Sequence, residues 1–243
     1  MKIVVTVLGM IILALFLQEA IRIGYLYKKA QDLDQTTRAF SATSDSSYTI
    51  LFVGDRSFFA SGLEDPLDSL PGQVAGFLGP GKIAVDGSPT LQIKDLYSVL
   101  VRHAQDTPDL VIISVGENDI LHKNVAADIK GDLEKAIEIA GQISDKKVIL
   151  IAPRDISLAS IMPPILPSQY KKLTESYESL YSEVAAESGT EFLPSSYVGD
   201  AWGDVKKDEM YLSDEFHLST YGYKIWSQGI IDNSILLKNY QKQ

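Results

Sequence analysis

The 243-residue sequence contains no cysteine and only three histidines. The absence of cysteine excludes disulfide bridges, thiolate nucleophiles, cysteine-ligated zinc sites and an acylated lipoprotein cysteine. The histidines, His103, His122 and His217, lack the i, i+4 spacing of a helical zinc site. The sequence also has no nicotinamide, phosphate-loop or pyridoxal phosphate signature, so we expect neither a metal nor a cofactor.

Positive charge is scarce as well. Lys and Arg number 22 against 32 Asp and Glu, which gives a net charge of −10 and an isoelectric point near 4.8. Binding to nucleic acid requires a basic patch that neutralises phosphates, and the basic residues here are scattered among acidic ones. We therefore expect no nucleic-acid partner. The hydrophobic share of 45% is ordinary for a globular domain and too high for a disordered chain.

The longest apolar run extends from residue 3 to residue 17. As a helix it spans roughly 22 Å, less than the ~30 Å hydrocarbon core, but its continuation through Tyr27 reaches a spanning length. No small-residue cleavage site follows closely, which favours an uncleaved membrane anchor over residues 1–27; a cleaved signal peptide and a buried core helix are the alternatives. Basic residues after the run favour a cytoplasmic domain, whereas short N-terminal anchors commonly export the domain behind them. The side of the membrane stays open.

From residue 31 the chain turns polar and loses any regular period, which predicts a linker over residues 28–47. The remaining part, residues 48–243, is long enough for one core and short for two. Short apolar runs alternate there with longer helical patterns. The runs are Thr49–Val53, Lys82–Val85, Leu110–Val115, Lys147–Ile151 and the weaker Glu191–Leu193, and the helical patterns cover Leu91–Ala104, Val125–Ile143, Ser168–Glu187 and Thr220–Leu237. Strict alternation predicts an α/β fold, a three-layer α/β/α sandwich around a parallel, flavodoxin-like sheet of about five strands.

Glycines and polar residues follow the predicted strands, whose carboxyl ends meet at the sheet edge that binds ligands. The groups are Gly54-Asp55-Arg56-Ser57 after the first strand, Asp86-Gly87-Ser88 after the second, Gly116-Glu117-Asn118-Asp119 after the third, and Asp214-Glu215-Phe216-His217 before the last helix. Any one of these groups alone is typical of a tight turn or a helix cap. Together, in this order, they predict a functional cleft.

In order, spacing and strand context, these groups resemble the SGNH (GDSL-type) hydrolase family over nearly all of the predicted domain. The resemblance implies hydrolysis of carboxylic esters, acyl or lipid-like, by serine, histidine and aspartate without a cofactor. Transferred residue by residue, it implies that His217 is the base and that Asp214 orients its imidazole. It also implies that Gly87 and Asn118 donate hydrogen bonds to the oxyanion.

The first group departs from the family pattern at the nucleophile. The resemblance places the serine directly after Gly54-Asp55, where this chain has Arg56. A guanidinium stays protonated and only donates hydrogen bonds, so Arg56 cannot attack an ester. Ser57 follows one residue late, a shift that turns a helical side chain by about 100°. Ser57 is a candidate nucleophile if the turn is rebuilt, and otherwise a helix-cap or first-turn serine.

Arg56 has two interpretations. It pairs with a nearby carboxylate such as Asp214 or Glu117, or it binds an anionic ligand in the cleft. Two functions from different classes follow. The first is a membrane-anchored ester hydrolase with an unusual or impaired nucleophile. The second is a non-catalytic pseudoenzyme whose retained cleft binds a small-molecule ligand or a partner at the membrane.

The remaining candidates are secondary. His122 is expected to be structural or to line the site, and His103 to lie at the surface. The proline-broken segment Ser157–Pro167 is either an acyl-binding wall or lid or a plainly packed loop. Three tyrosines in the next helix, Tyr170, Tyr177 and Tyr181, are expected to make core or surface contacts.

Overall fold

The computed structural model describes residues 2–44, 48–145, 147–163, 167–195 and 207–241. Five strands in these ranges form one sheet: β1 (Thr49–Gly54), β2 (Lys82–Gly87), β3 (Leu110–Ser114), β4 (Val148–Ile151) and β5 (Glu191–Leu193). Their order is β2-β1-β3-β4-β5, and every pairing is parallel. This is the flavodoxin-like order, and the predicted parallel sheet is confirmed.

The α-helices of the described ranges are α1 (Lys2–Gln35), α2 (Leu70–Leu78), α3 (Ile93–Val101), α4 (Glu117–Leu121), α5 (Ala126–Ile143), α6 (Pro167–Ser188), α7 (Lys207–Met210), α8 (Thr220–Asn233) and α9 (Ile235–Gln241). Helix α5 packs on α3 and α6, and α2 packs on α8 and α9. The sheet lies between these two groups, which gives the predicted α/β/α sandwich.

The core follows the apolar pattern of the sequence. Every residue of β3 and β4 is buried, because helices cover both faces of the sheet. On α5, Ile129, Leu133, Ile137 and Ala140 are buried at the helical spacing seen in the sequence. The burial of these residues fixes β3 and β4 in the middle of the domain and thereby fixes the edge at which their carboxyl ends meet.

Two helices differ from the expectation. The predicted last helix is divided into α8 and α9, because Ser234 has an extended backbone and its hydroxyl accepts the N–H of Leu237. The same hydroxyl donates to Glu191 Oε2 at 3.1 Å, which ties the break to β5. Helix α2, with Pro71 in its first turn, was not predicted as a helix.

Helix α1 is a single helix of 34 residues and continues to Gln35. Residues 3–35 contain an apolar window with a mean hydropathy of 2.3, long and apolar enough to cross a membrane; a signal sequence satisfies the same criterion. The linker prediction is wrong for residues 28–35, which are helical. The reason is tertiary: Leu26 and Ala30 are buried against the domain, and this packing supports a polar sequence without helical periodicity of its own.

The chain after α1 also packs on the domain. Phe40 is buried, and isolated bridges join Ala39 to Phe59 and Ala42 to Ile83. Residues 45–47 of the predicted linker lie outside the described residues. The described part of the predicted linker therefore contacts β2 and the turn after β1.

Candidate functional site

The site begins where β1 ends. Gly54 lies so close to the carbonyl oxygen of Ser114 and the ring of Phe58 that a Cβ atom would collide with both. Asp55 follows and caps a short 3₁₀ turn, Arg56–Phe58, by accepting the N–H of Ser57. The second carboxylate oxygen of Asp55 accepts the N–H of Glu117 at 3.0 Å. Asp55 thereby joins the first group of site residues to the third.

Asp214 and His217 form a buried pair in the loop before α8. Asp214 Oδ1 accepts the N–H groups of Phe216 and His217, each at 3.1 Å. Asp214 Oδ2 lies 2.5 Å from His217 Nδ1. Because the carboxylate is fixed by its own loop, it holds the imidazole with Nδ1 inward and Nε2 directed away, the orientation that the resemblance implies.

A second carboxylate, Asp34 from the end of α1, lies on the opposite edge of the imidazole. Its Oδ1 is 3.0 Å from His217 Nε2 and accepts the Ser61 hydroxyl at 3.3 Å. Asp34 is not among the site residues predicted from the sequence. Its neighbours, Asp32 and Gln35, give it the appearance of a solvated helix end, so no local pattern could have found it.

Arg56 contacts two of the predicted groups and Asp34. Its Nη2 donates to Asn118 Oδ1 at 2.8 Å, its Nη1 lies 3.3 Å from Asp34 Oδ2, and the guanidinium stacks on Phe216 at 4.9 Å from the ring centroid. Its buried Nε has no hydrogen-bond partner among the described residues, and Glu117 Oε2 lies 4.0 Å from it. Of the carboxylates expected for Arg56, Glu117 is near, whereas the hydrogen bond goes to Asp34 rather than to Asp214.

Ser57 is buried on the other side of the turn. Its hydroxyl lies 2.9 Å from Asp55 Oδ1 and 3.1 Å from Glu117 Oε1, so its single proton is directed at carboxylates. No hydrogen bond joins Ser57 to His217 in the part of the chain that the structure describes. Ser57 therefore has the geometry of a first-turn serine, the predicted alternative to a nucleophile.

Glu117 and Arg154 form a second buried ion pair. Arg154 Nε and Nη2 lie 2.5 and 2.8 Å from the two oxygens of Glu117, a bidentate arrangement. Arg154 comes three residues after β4 and was also missed. It stands at a strand end like the predicted groups, so the same rule would have found it.

The two predicted oxyanion donors are already bonded. Asn118 Nδ2 donates to the carbonyl oxygens of Pro89 and Leu91 at 2.9 and 3.0 Å, while its Oδ1 faces Arg56. A flipped amide would point its NH₂ group at the guanidinium, so this network fixes the orientation. The N–H of Gly87 donates to Asp86 Oδ1 at 2.6 Å.

Three cations and three carboxylates balance in the site: Arg56, Arg154 and His217 against Asp34, Asp214 and Glu117. Burial acts to lower the pKa of His217, but the hydrogen bonds with Asp214 and Asp34 outweigh it, and the pKa is raised. Burial acts to raise the pKa of Glu117, and Arg154 reverses this and lowers it. Asp55 is the fourth carboxyl group; burial, and then the charge of Glu117, raise its pKa to about 7.

A cavity of about 610 Å³ opens beside Arg56, Asn118 and Asp34, between α1 and the domain. His122 lines it, as expected, and its Nδ1 lies 2.6 Å from Asn118 O. Ile161 of the predicted wall segment lines it too. Residues 164–166 of that segment lie outside the described residues.

The other histidine and the tyrosines have structural roles. His103 lies at the surface but is only partly exposed: its side chain is 17% exposed and bridges Asp86 and Asp106. Tyr177 and Tyr181 are fully buried, and Tyr170 nearly so. The described residues contain no group of three or more histidine and acidic side chains arranged to hold a metal ion.

Comparison with known proteins identifies a family. The model of the GDSL-like lipase/acylhydrolase family matches residues 52–225. No curated protein matches the sequence.

Three solved structures share the fold. An acetylxylan esterase from Geobacillus stearothermophilus is 18% identical, with a TM-score of 0.59 over 77% of this chain and 94% of that one. TesA is 20% identical, with a TM-score of 0.60 over 78% and 99%. An α/β hydrolase from the metagenome of Lake Arreo, Spain, is 14% identical, with a TM-score of 0.62 over 79% and 95%.

Proposed function

Because the chain belongs to the GDSL-like lipase/acylhydrolase family, we propose that it retains the cleft of that family and binds a ligand there without hydrolysing esters. The observation that carries this proposal concerns Arg56, at the position that the family resemblance assigns to the nucleophile. Its guanidinium holds Asn118 and Asp34. A protonated guanidinium has no lone pair with which to attack a carbonyl carbon.

The state of the base supports the same conclusion. A hydrolase of this type needs a neutral imidazole whose Nε2 takes the proton of the nucleophile. Here His217 Nδ1 bonds to Asp214 and His217 Nε2 bonds to Asp34. An imidazole between two carboxylates is stabilised as imidazolium, and an imidazolium has no site to accept a further proton.

The oxyanion donors support it as well. An oxyanion hole stabilises the transition state only if its donors point at the place where negative charge develops. The amide hydrogens of Asn118 are used by main-chain carbonyls, and the N–H of Gly87 is used by Asp86. The arginine at the nucleophile position, the imidazole base and both oxyanion donors are therefore each hydrogen-bonded within the protein.

Ester hydrolysis remains a second candidate, because the Asp214–His217 pair has the geometry of the orienting acid and base of a hydrolase. For hydrolysis, Asp34 would have to leave His217, and a hydroxyl would have to come within about 2.6–3.2 Å of Nε2. Ser57 is the available hydroxyl, and its turn would have to be rebuilt to provide it.

The deciding experiment measures hydrolysis of chromogenic acetyl and butyryl esters by the parent protein, Ser57→Ala and His217→Ala, together with labelling by a serine-directed phosphonate. We expect the parent to be no faster than His217→Ala and to remain unlabelled. Parent activity that disappears in both variants would instead establish a hydrolase that uses Ser57.

A gain-of-function series sharpens this proposal. Loss of a serine nucleophile lowers the rate by ~10⁶, and we expect Arg56→Ser alone to recover little, because Asp34 still holds His217. Arg56→Ser combined with Asp34→Ala is expected to recover more, yet only part, since the oxyanion donors stay engaged. The matched control is Arg56→Ala with Asp34→Ala, which opens the same space without a hydroxyl. Equal rates in these two folded double variants would contradict the assignment of position 56.

A further inference from the structure

The cavity beside the site has one charged, polar end, and most of its remaining lining is apolar. Its polar end is formed by Arg56, Asn118 and Asp34. Its walls include three residues of α1, namely Ile23, Tyr27 and Ala30, and three of the domain, namely Ile161, Met162 and Phe216. A volume of about 610 Å³ is within the range of sites that hold small organic molecules. The shape suits a molecule with one polar head and an apolar body.

The polar end already holds a carboxylate. Two cationic side chains that are distant in sequence, Arg56 and His217, converge on the side chain of Asp34. The Arg56 contact measures 3.3 Å, which is longer than the about 2.7–2.9 Å of a good charge-assisted hydrogen bond. The carboxylate that the chain supplies therefore fits the Arg56 donor only loosely, although it lies 3.0 Å from His217 Nε2.

The position of Asp34 depends on how α1 lies on the domain. Arg22 bonds to Glu215 at 2.7 Å, and Lys29 donates to the carbonyl oxygen of Ser213 at 3.2 Å. Leu33 packs beside Gly62, where a Cβ atom would come within 3.1 Å of the Leu33 side chain. These contacts hold Asp34 at the site, but none of them is a contact of its carboxylate. A displacement of that carboxylate alone leaves them intact.

We propose that Arg56 and His217 form a binding site for the carboxylate of an external amphiphile, an organic acid with one apolar chain, which competes with Asp34 for the two cations. The apolar chain lies in the cavity against Ile23, Tyr27 and Met162. This inference rests on the proposed ligand-binding function of the cleft and names its ligand class. An amine is disfavoured because it would lie beside Arg56, and because both oxygens of Asp34 are already engaged by Arg56 and His217. A neutral alcohol gains the apolar contacts without the ion pairs.

The test uses the full chain in an amphipathic polymer and measures binding of hexanoate, hexanol and hexylammonium by calorimetry. In Asp34→Ala the internal competitor is absent, and we expect hexanoate to bind about tenfold or more tighter than to the parent. Hexanol affinity should change little, and hexylammonium should not bind. Asp32→Ala is the matched control, because Asp32 is an exposed carboxylate on the same helix.

Two further variants make the result decisive. Asp34→Asn keeps the shape of the side chain without its charge, so it replaces Asp34→Ala if that variant does not fold. Adding Arg56→Gln to either variant should abolish the gain for hexanoate. Equal binding of hexanoate by the parent and the folded Asp34 variant, or equal gains for hexanol and hexanoate, would overturn the inference.

The same preparations are assayed for ester hydrolysis, which separates the two proposals. Hydrolysis by the parent with tight hexanoate binding by the Asp34 variant would overturn only the non-catalytic function. Absence of both hydrolysis and selective hexanoate binding would overturn only the carboxylate site.

Discussion

Two arginines of the site are equally buried and differently bonded. Arg56 and Arg154 are each 7% exposed. Arg154 makes two hydrogen bonds, at 2.5 and 2.8 Å, to the two oxygens of one carboxylate. Arg56 has a single contact with a carboxylate oxygen within hydrogen-bond range, at 3.3 Å, one amide partner, and a buried Nε without a partner among the described residues.

This difference identifies Arg154–Glu117 as a structural ion pair and Arg56–Asp34 as an exchangeable one, in which a ligand can replace the carboxylate. A bidentate pair with both partners buried holds the guanidinium against one fixed carboxylate and stabilises the fold as long as neither charge is stranded. A guanidinium with one long carboxylate contact gains a shorter hydrogen bond if a better-fitting anion replaces its partner. Of the two arginines, Arg56 is thus the one suited to bind a ligand.

The largest effect that this comparison predicts is on Arg154. Arg154→Met removes the bidentate partner of the fully buried Glu117 and leaves it the longer 4.0 Å contact with Arg56, so we expect a loss of about 3–5 kcal/mol in the free energy of unfolding. Denaturant titration followed by circular dichroism measures it. Adding Glu117→Gln to Arg154→Met removes the stranded charge and should recover part of the loss. A loss below about 1 kcal/mol in the single variant would show that the pair does not hold the fold.

Replacement of Arg56 should destabilise the protein less than replacement of Arg154. Arg56→Met leaves the Asn118 carbonyl without its donor and leaves Asp34 paired with His217, so we expect a loss of about 1–3 kcal/mol, below that of Arg154→Met. The two variants are compared in one titration series, since both remove a guanidinium of equal exposure. If Arg56→Met destabilised the protein as much as Arg154→Met, Arg56 would be a structural residue and the distinction between the two would fail.

The sequence predicted one half of this site and missed the other for a physical reason. Arg56, Asn118, Asp214 and His217 follow strands or precede a helix, and alternation of strands and helices brings such positions to one edge regardless of details. Asp34 reaches the site only because α1 packs on the domain, a tertiary contact that leaves no periodic pattern in residues 28–35. Local signals specify the sheet, and they do not specify which distant side chain completes a charge cluster.

Location at the end of a strand also predicted where a residue lies better than it predicted whether its hydrogen-bond donors are free. It placed Gly87 and Asn118 correctly at the edge of the sheet, but their hydrogen-bond donors are used by Asp86, Pro89 and Leu91. Such bonds depend on loop conformation at the ångström scale. The position of a residue at the edge of the sheet therefore follows from the order of strands and helices. Whether its hydrogen-bond donor is free can be read only from the structure.

The pH dependence of stability tests the pairing of His217 with its two carboxylates, one of which is the exchangeable Asp34. The folded-state pKa of His217 is raised, so the stability from its two carboxylate partners is fully present below its unfolded pKa of about 6.5 and is lost as pH rises through the folded value. Asp55, whose pKa is also raised, adds a loss in the same direction. We expect the melting temperature of the parent to fall as the pH rises, from about pH 4 to about pH 7 through Asp55 and above about pH 6.5 through His217.

Asp34→Asn separates the contribution of the second carboxylate. The variant removes one of the two partners that raise the pKa of His217, so NMR titration of the imidazole should give a lower pKa than in the parent. Asp32→Asn, on the exposed side of the same helix, should leave it unchanged. An unchanged pKa in Asp34→Asn would mean that Asp34 does not pair with His217 in solution.

The smallest effect concerns a third arginine, Arg22, which extends the comparison to the surface. Its Nη1 lies 2.7 Å from Glu215 Oε2, and the two side chains are 34% and 39% exposed. Water screens such a pair, so Arg22→Gln should cost about 0.2–1 kcal/mol, and less at high salt. Lys28→Gln, at an exposed position of the same helix, is the control for the loss of one positive charge. If Arg22→Gln destabilised the protein as much as Arg56→Met, the outer pair rather than the buried cluster would determine how α1 is held on the domain.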